Sequence, residues 1–245
     1  MDDETRGQEE QGEKKEIGDV LFSWKRKADN FWYHYKIPFI LGIIILAFII
    51  FCIAQCSGRP QGDANVGYIG SQEINSEHYE NLQNALNSIL GEDLNGDDKV
   101  HVEFTQFSYM TQRQVENARA AGKPVDLQSL VTVQLQIDLE LTDGNLIIYF
   151  IDPEVYKELS GRNAFMHLED ALGYIPDNAY DEYAVKLNSL QCWEYYEGLN
   201  DLPANTVIAV RDITLSEESN EEMKEKYRRN LIMFKRIIDF KYLQD

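Results

Sequence analysis

Apolar and polar positions along this chain fall into one unbroken apolar run followed by many short periodic patterns. The run is Ile37 to Ala54 (IPFILGIIILAFIIFCIA), eighteen residues without a charge or a strongly polar side chain. A helix crosses the hydrocarbon core of a bilayer with ~20 mostly apolar residues, and ~17 still suffice. The run therefore predicts one membrane-spanning helix over 37–55, which divides the chain into a short N-terminal tail and one larger domain over 66–245, joined by a linker over 56–65.

Within the larger domain the periods change. Val66-Gly67-Tyr68-Ile69-Gly70 reads as a short strand closed by a Gly turn. Ser76 then serves as a cap, and Tyr79, Leu82, Leu86, Ile89 and Leu90 share one face of a helix closed by Gly91. After a polar turn, Val100, Val102, Phe104 and Phe107 form a strand pattern. Residues 126–151 admit two readings. Val131, Val133, Leu135, Ile137, Leu139 and Leu141 alternate strictly and Asp143-Gly144 follows, which suits a hairpin. A helix also fits: Leu127, Leu130, Gln134, Leu135, Ile137 and Leu141 cover a broad face with Gly144 just past its end. Leu146 to Ile151 is almost continuously apolar, as in a parallel strand buried on both faces, and such a strand needs a crossover before it.

Asp152-Pro153 opens a short helix through Leu159, with proline at its first position. Residues 161–205 are irregular and rich in tyrosine, and Val207 to Val210 is another buried strand. Last, Ser219-x-x-Glu222 reads as a capping box ahead of a stripe of Met223, Tyr227, Leu231, Phe234, Ile237 and Ile238. Acidic residues crowd the start of this helix and basic ones its later turns, matching the helix dipole. Strands alternating with helices predict an α/β fold: a mostly parallel sheet with helices on both faces, preceded by one transmembrane helix.

Charge orients the span. Lys25, Arg26, Lys27 and Lys36 precede it and Arg59 follows, so the N-terminus is expected in the cytoplasm and the domain outside the membrane. Residues 1–19 are polar and acidic and are expected to be disordered. Residues 20–36 form a juxtamembrane amphipathic segment, with Leu21, Trp24, Ala28, Phe31 and Tyr35 at helical spacing. They either lie on the inner leaflet or extend the helix of the span. A cleaved signal has a short basic start, whereas 36 residues, many acidic, come first here. Ile53-Ala54-Gln55-Cys56 resembles a lipoprotein attachment box but has Gln55 where a small residue belongs.

The whole chain carries a net charge of −19; from residue 57 on, 16 basic side chains face 33 acidic ones, a net of −17. This excludes nucleic acid and argues against an anionic membrane surface as a ligand. Cys52 and Cys56 lie in or beside the span, so Cys192 is alone in the domain and has no internal disulfide partner. It reads as a small buried residue.

One motif carries a resemblance. After Asn95-Gly96-Asp97 and a strand, Leu135 to Leu159 reads LQIDLELTDGNLIIYFIDPEVYKEL, with a Gly, a buried strand and Phe-Ile-Asp-Pro-Glu in order. The pattern resembles a group of uncharacterised membrane-anchored proteins of Gram-positive bacteria. These are similar in turn to one lobe of extracytoplasmic solute-binding proteins, the periplasmic-binding-protein type of fold. The resemblance implies a helix over 126–142 and a binding fold. It does not imply transport, since a complete solute-binding protein has two lobes and this domain is too short for both.

Candidate chemistry is sparse. Asp93-x-Asn95-x-Asp97 begins like a calcium loop, but its sixth position holds Asp98 and its twelfth Phe104 instead of Gly and a bidentate Glu. A polar turn without metal is expected, and no cofactor. His34, His78, His101 and His167 are scattered. No nucleophile elbow or phosphate loop occurs. Tyr174, Tyr180, Tyr183, Trp193, Tyr195 and Tyr196 interleave with Asp177, Asp181 and Glu194. Such rings and carboxylates either bind a sugar or peptide or pack as a satellite core. Tyr180, Trp193, Tyr195 and Arg211 are the candidate ligand-binding residues, with Arg211 offering an anion contact or a surface ion pair. The reading is a non-enzymatic, single-pass, extracytoplasmic domain in a bacterial cell membrane that binds a small solute or serves another envelope protein. Its alternatives are a structural subunit of a membrane complex and an extracytoplasmic enzyme.

Overall fold

The computed structural model describes residues 32–33, 37–52 and 62–242. The predicted tail 1–19, most of the juxtamembrane segment and the first part of the linker lie outside the described residues. The chain divides into two units, up to Pro60 and from Gln61 on. In the first, α1 (37–52) is helical and every one of its side chains is exposed. The predicted span ended at 55, and residues 53–55 lie outside the described residues. Among the described residues no helix is long and apolar enough to cross a membrane.

The second unit is an α/β domain. Its strands are β1 (Ala64–Gly70), β2 (Val102–Ser108), β3 (Ile148–Ile151), β4 (Ala184–Lys186) and β5 (Val207–Val210). They form one sheet in the order β2-β1-β3-β5-β4. The strand start at Ala64 shortens the predicted linker. β1 pairs in parallel with β2 and β3, whereas β5 runs antiparallel to both β3 and β4. Four strands thus share a direction and β5 opposes them.

Side chains alternate across the sheet as the strand period requires. On one face Val66, Tyr68, Ile148, Phe150, Ile208 and Val210 pack with Leu82, Leu86 and Leu90 of α2 (Ser76–Leu90) and with Tyr227, Met233, Phe234 and Ile237 of α9 (Glu221–Ile238). On the other face Ile69, Tyr149, Ile151, Val207 and Ala209 meet Ile137 and Leu141 of α4 (Leu127–Asp143) and Val155, Tyr156 and Leu159 of α5 (Pro153–Ser160). The remaining helices are short: α3 (Gln112–Ala120), α6 (Leu168–Leu172), α7 (Gln191–Tyr195) and α8 (Leu215–Glu218).

The ambiguous segment is helical. Asp126 caps α4 by accepting from the amides of Gln128 and Ser129 at 3.0 and 3.2 Å. Gly144 has φ −90° and ψ 179°, extended backbone that cannot make the positive-φ turn of a two-residue hairpin. Instead the Glu140 carboxylate accepts from the amides of Asn145 and Leu146, turning the chain into β3.

Cap positions differ from those expected. Asn75, not Ser76, caps α2 by accepting from the His78 amide, and Gly91 closes it in the left-handed region at φ 67°. Asn220 caps α9 through the amides of Glu222 and Met223, while the capping box sits one short helix earlier, at Thr214 and Glu217. A buried bond ties α9 to the sheet: Asn230 Oδ1 accepts from the Asn65 amide at 2.7 Å.

Phe234 is fully buried between α9 and the sheet. Phe234→Ala is expected to destabilise the protein by ~3–5 kcal/mol, as a large-to-small core change. Lys224→Ala removes an exposed ion pair with Glu221 and should cost at most ~0.5 kcal/mol. Urea unfolding of both variants checks this; equal midpoints would show α9 undocked.

Candidate functional site

In open α/β sheets, ligands enter the crevice beyond the carboxyl ends of the strands, where the strand order reverses. Here that point lies between β1 and β3, and the protein's own side chains span it. Gln106 accepts from the Ile74 amide at 3.2 Å and donates to the Gln72 carbonyl at 3.1 Å. Gln114 donates to Asp152 at 3.3 Å, and Asp152 also caps α5 through the Glu154 amide.

A cleft of about 410 Å³ opens instead on the side of the domain, between α2 and the 3₁₀ turn Glu197–Asp201. Asn81, Asn84, Ala85 and Ser88 line one wall at i, i+3, i+4 and i+7, which puts them on a single helical face. Tyr196, Glu197, Gly198 and Asp201 line the other. The walls touch at Gly198: a Cβ there would lie 2.3 Å from the Asn81 carbonyl oxygen, so no other residue permits this approach. At one end Asp201 lies 3.7 Å from His78 through its Oδ1, and its Oδ2 is buried without a hydrogen-bond partner.

Aromatic rings continue from the cleft. Tyr196 meets Tyr195 at 4.8 Å and Phe240 at 5.2 Å between centroids, and Tyr195 also contacts Tyr242. Tyr195 is 55% exposed. A second hollow of about 450 Å³ lies against Ile89, Ile232, Lys235, Arg236, Asp239 and Phe240. Hydroxyl-bearing, uncharged ligands suit the first cleft: amides and carboxylates supply donors and acceptors, and Tyr196 supplies a ring.

The four candidate residues do not share one site. Trp193 packs on the α2/α9 face of the sheet and Tyr195 belongs to the aromatic group beside the cleft. Tyr180 packs on the opposite face, edge-on to Tyr156 with Lys186 over its ring. Near it Asp181 accepts from the Tyr156 hydroxyl and from the amides of Tyr183 and Ala184, so the first half of the tyrosine-rich segment is structural. Tyr196, Glu197 and Asp201 face the α2 amides, a pairing that only the tertiary fold creates. The helical spacing of Asn81, Asn84 and Ser88 was the available signal.

Arg211 is neither a ligand contact nor a surface pair. Because β5 runs antiparallel, its end lies beside the start of β3, away from the carboxyl edge. The guanidinium is fully buried and donates to Glu217 at 2.7 and 3.1 Å, to the Leu146 carbonyl at 3.2 Å and to the Gly144 carbonyl at 3.0 Å. Tyr227 lies under it, 5.4 Å from ring centroid to guanidinium. Burial raises the Glu217 carboxyl, but the hydrogen bonds from Arg211 and from the Thr214 amide and hydroxyl outweigh it and hold the carboxyl below its usual value. The Asp93 loop closes on itself. Asp93 accepts from the amides of Asn95, Gly96 and Asp98 at 3.0, 2.7 and 2.8 Å, and the Gly96 bond above all lowers its carboxyl pKa. Among the described residues no group of side chains is placed to hold a metal ion.

Glu217→Ala leaves a buried guanidinium without its counter-charge and should cost ~3–5 kcal/mol. Arg211→Met combined with Glu217→Leu should cost less than the single change. A lowered folded-state pKa means that the contribution of Glu217 is complete above its unfolded value of about 4.5 and fades as pH falls through the lower folded value. The wild type should therefore lose stability below that pH more steeply than Glu217→Gln, measured by urea midpoints across pH 3–6. Calcium should leave the melting temperature unchanged, because backbone amides already occupy Asp93; a saturable shift lost in Asp93→Ala would contradict this. No family model matches the chain, and neither does any curated protein or solved structure.

Proposed function

We propose that the chain is a single-pass membrane protein with its N-terminus in the cytoplasm and its α/β domain outside the cell, and that the domain binds its target without transforming it. The observation that carries the anchoring is α1. Its sixteen residues include no charged side chain, and all of them are exposed. Apolar surface on that scale marks a contact with membrane or protein. At 1.5 Å per residue the described helix is ~24 Å long. The apolar sequence continues through Ile53 and Ala54, bringing the segment close to the ~30 Å hydrocarbon core. The basic cluster ahead of it orients the domain outward.

The binding reading rests on the α2 cleft and on what surrounds it. The Ser88 hydroxyl donates to the Asn84 carbonyl of its own helix at 2.7 Å, so it is not paired with a base. Burial pushes the Cys192 thiol up to about 12, and it points to the Ile237 carbonyl, which is the setting of an inert cysteine. What the cleft offers is a set of fixed polar groups beside a ring, suited to a neutral, hydroxyl-rich solute such as a saccharide.

Protease added to intact protoplasts should remove the domain while the tail stays protected, and the protein should fractionate with membranes. A soluble, processed domain in the medium would overturn the anchor. Neutral oligosaccharides added to the detergent-solubilised protein should raise its melting temperature saturably. The shift should vanish in Asn84→Ala, and a panel without any shift would remove the saccharide reading.

A further inference from the structure

We infer that a second copy of this chain covers the outer face of α4, in an antiparallel pair related by a two-fold axis. The helix is apolar on two sides. Residues two apart on a helix point ~200° apart, so strict alternation over 131–141 splits into two ridges of four-residue spacing. Val133, Ile137 and Leu141 form the inner ridge, with Ile137 and Leu141 buried against the sheet. Leu127, Val131, Leu135 and Leu139 form the other, and they are 47, 68, 60 and 62% exposed. A helix with two apolar ridges needs cover on both of them.

The charges around the ridge select its occupant. From Leu127 to Ile137 no residue is charged, in a chain whose net charge is −19. Two copies repel one another across most of their surfaces and can meet along this line without that cost. Interface cores are depleted of charge in the same way. Asp138, paired with Arg162, gathers with Glu140 and Asp143 at the C-terminal end of α4, while Arg119 and Lys123 stand just ahead of its N-terminal end, with the Asp126 cap between them and Leu127. An antiparallel pair centred between Val131 and Leu135 sets Leu127 beside Leu139 of the second copy and Val131 beside its Leu135, and brings the loop before α4, with Lys123, to the end of the second helix that holds Asp143. The same operation lays the two helix dipoles head to tail. A two-fold contact needs a patch that is its own complement, and this ridge with its opposed end charges meets that condition. A lipid surface fits poorly, since the ridge has no aromatic residue and α4 itself carries no Lys or Arg on its polar side, where interfacial helices are rich in both.

The pairing does not depend on the membrane reading, and the test runs on the full chain, in detergent if it is membrane-bound. Sedimentation equilibrium should give twice the monomer mass, and Leu135→Asp should halve it while leaving the circular dichroism spectrum and melting temperature intact. Lys123→Glu and Asp143→Lys should each weaken the pair, and the double variant should restore it. In a background with Cys52 and Cys56 replaced by Ser, mixed Leu127→Cys and Leu139→Cys chains should crosslink with a short bismaleimide, and neither variant should do so alone. A monomer at all concentrations, a dimer unaffected by Leu135→Asp, or crosslinking of either cysteine variant by itself would overturn the proposal.

Discussion

Arg211 loses all contact with water at the point where the start of β3, the end of β5, the α8 turn and α9 meet. A buried guanidinium needs a counter-charge and partners for most of its donors, because the desolvation of the charge costs several kcal/mol. Here Gly144, Leu146 and Glu217 accept from four of its five N–H groups, and Tyr227 lies beneath. None of these elements can leave without stranding the charge. The Glu217 carboxylate also serves the Thr214 amide and hydroxyl, so the same group caps α8 and pins it to the sheet. The cluster acts as one cooperative lock on the amino-end edge of the domain.

That lock follows from the direction of β5. Had the strand run parallel to β3, its last residue would have faced the carboxyl edge, where α/β sheets usually hold ligands. Running the other way, it turns a potential anion contact into a framework residue. The carboxyl edge is meanwhile crossed by Gln106, Gln114 and Asp152. Open space lies on the flank of α2, where a glycine lets the 3₁₀ turn approach the helix backbone. The open cleft on this domain thus lies at a helix face and not at the sheet edge.

Much of the architecture was legible in local patterns. The β1, β3 and β5 strands, α2, α5 and α9 all announce themselves by period, proline position or buried apolar run. What escaped was set by long-range pairing. The direction of β5 depends on partners some sixty residues away, and β4 is three residues long, too short to show a period. The capping box fell on Thr214 and Glu217 because the chain makes a separate turn before α9, and Ser219 looked as suitable by type. Of the candidate site, only Tyr196 stood out in the sequence, within the tyrosine-rich segment; the α2 amides, on the polar side of a helix recognised by its apolar face, drew no notice. Arg211 was expected at the surface or on a ligand because nothing local shows which way its strand runs or that Glu217 and two carbonyls close around its end. The alternation over 131–141 was ambiguous for a physical reason: it is a strand's pattern worn by a helix.

The alternation in α4 also bears on what happens when the helix comes loose. Val-Thr-Val-Gln-Leu-Gln-Ile is rich in β-branched and long apolar side chains, contains no proline or charge, and would make a strand with one greasy and one amide-and-hydroxyl face. The Asp126 cap, the docking of Ile137 and Leu141 and the Arg162–Asp138 ion pair hold it helical. During synthesis or partial unfolding, before those contacts exist, the segment is a template for chain-to-chain strand addition. The charges that immediately follow, Asp138 and Glu140, then act as gatekeepers against its stacking into fibrils.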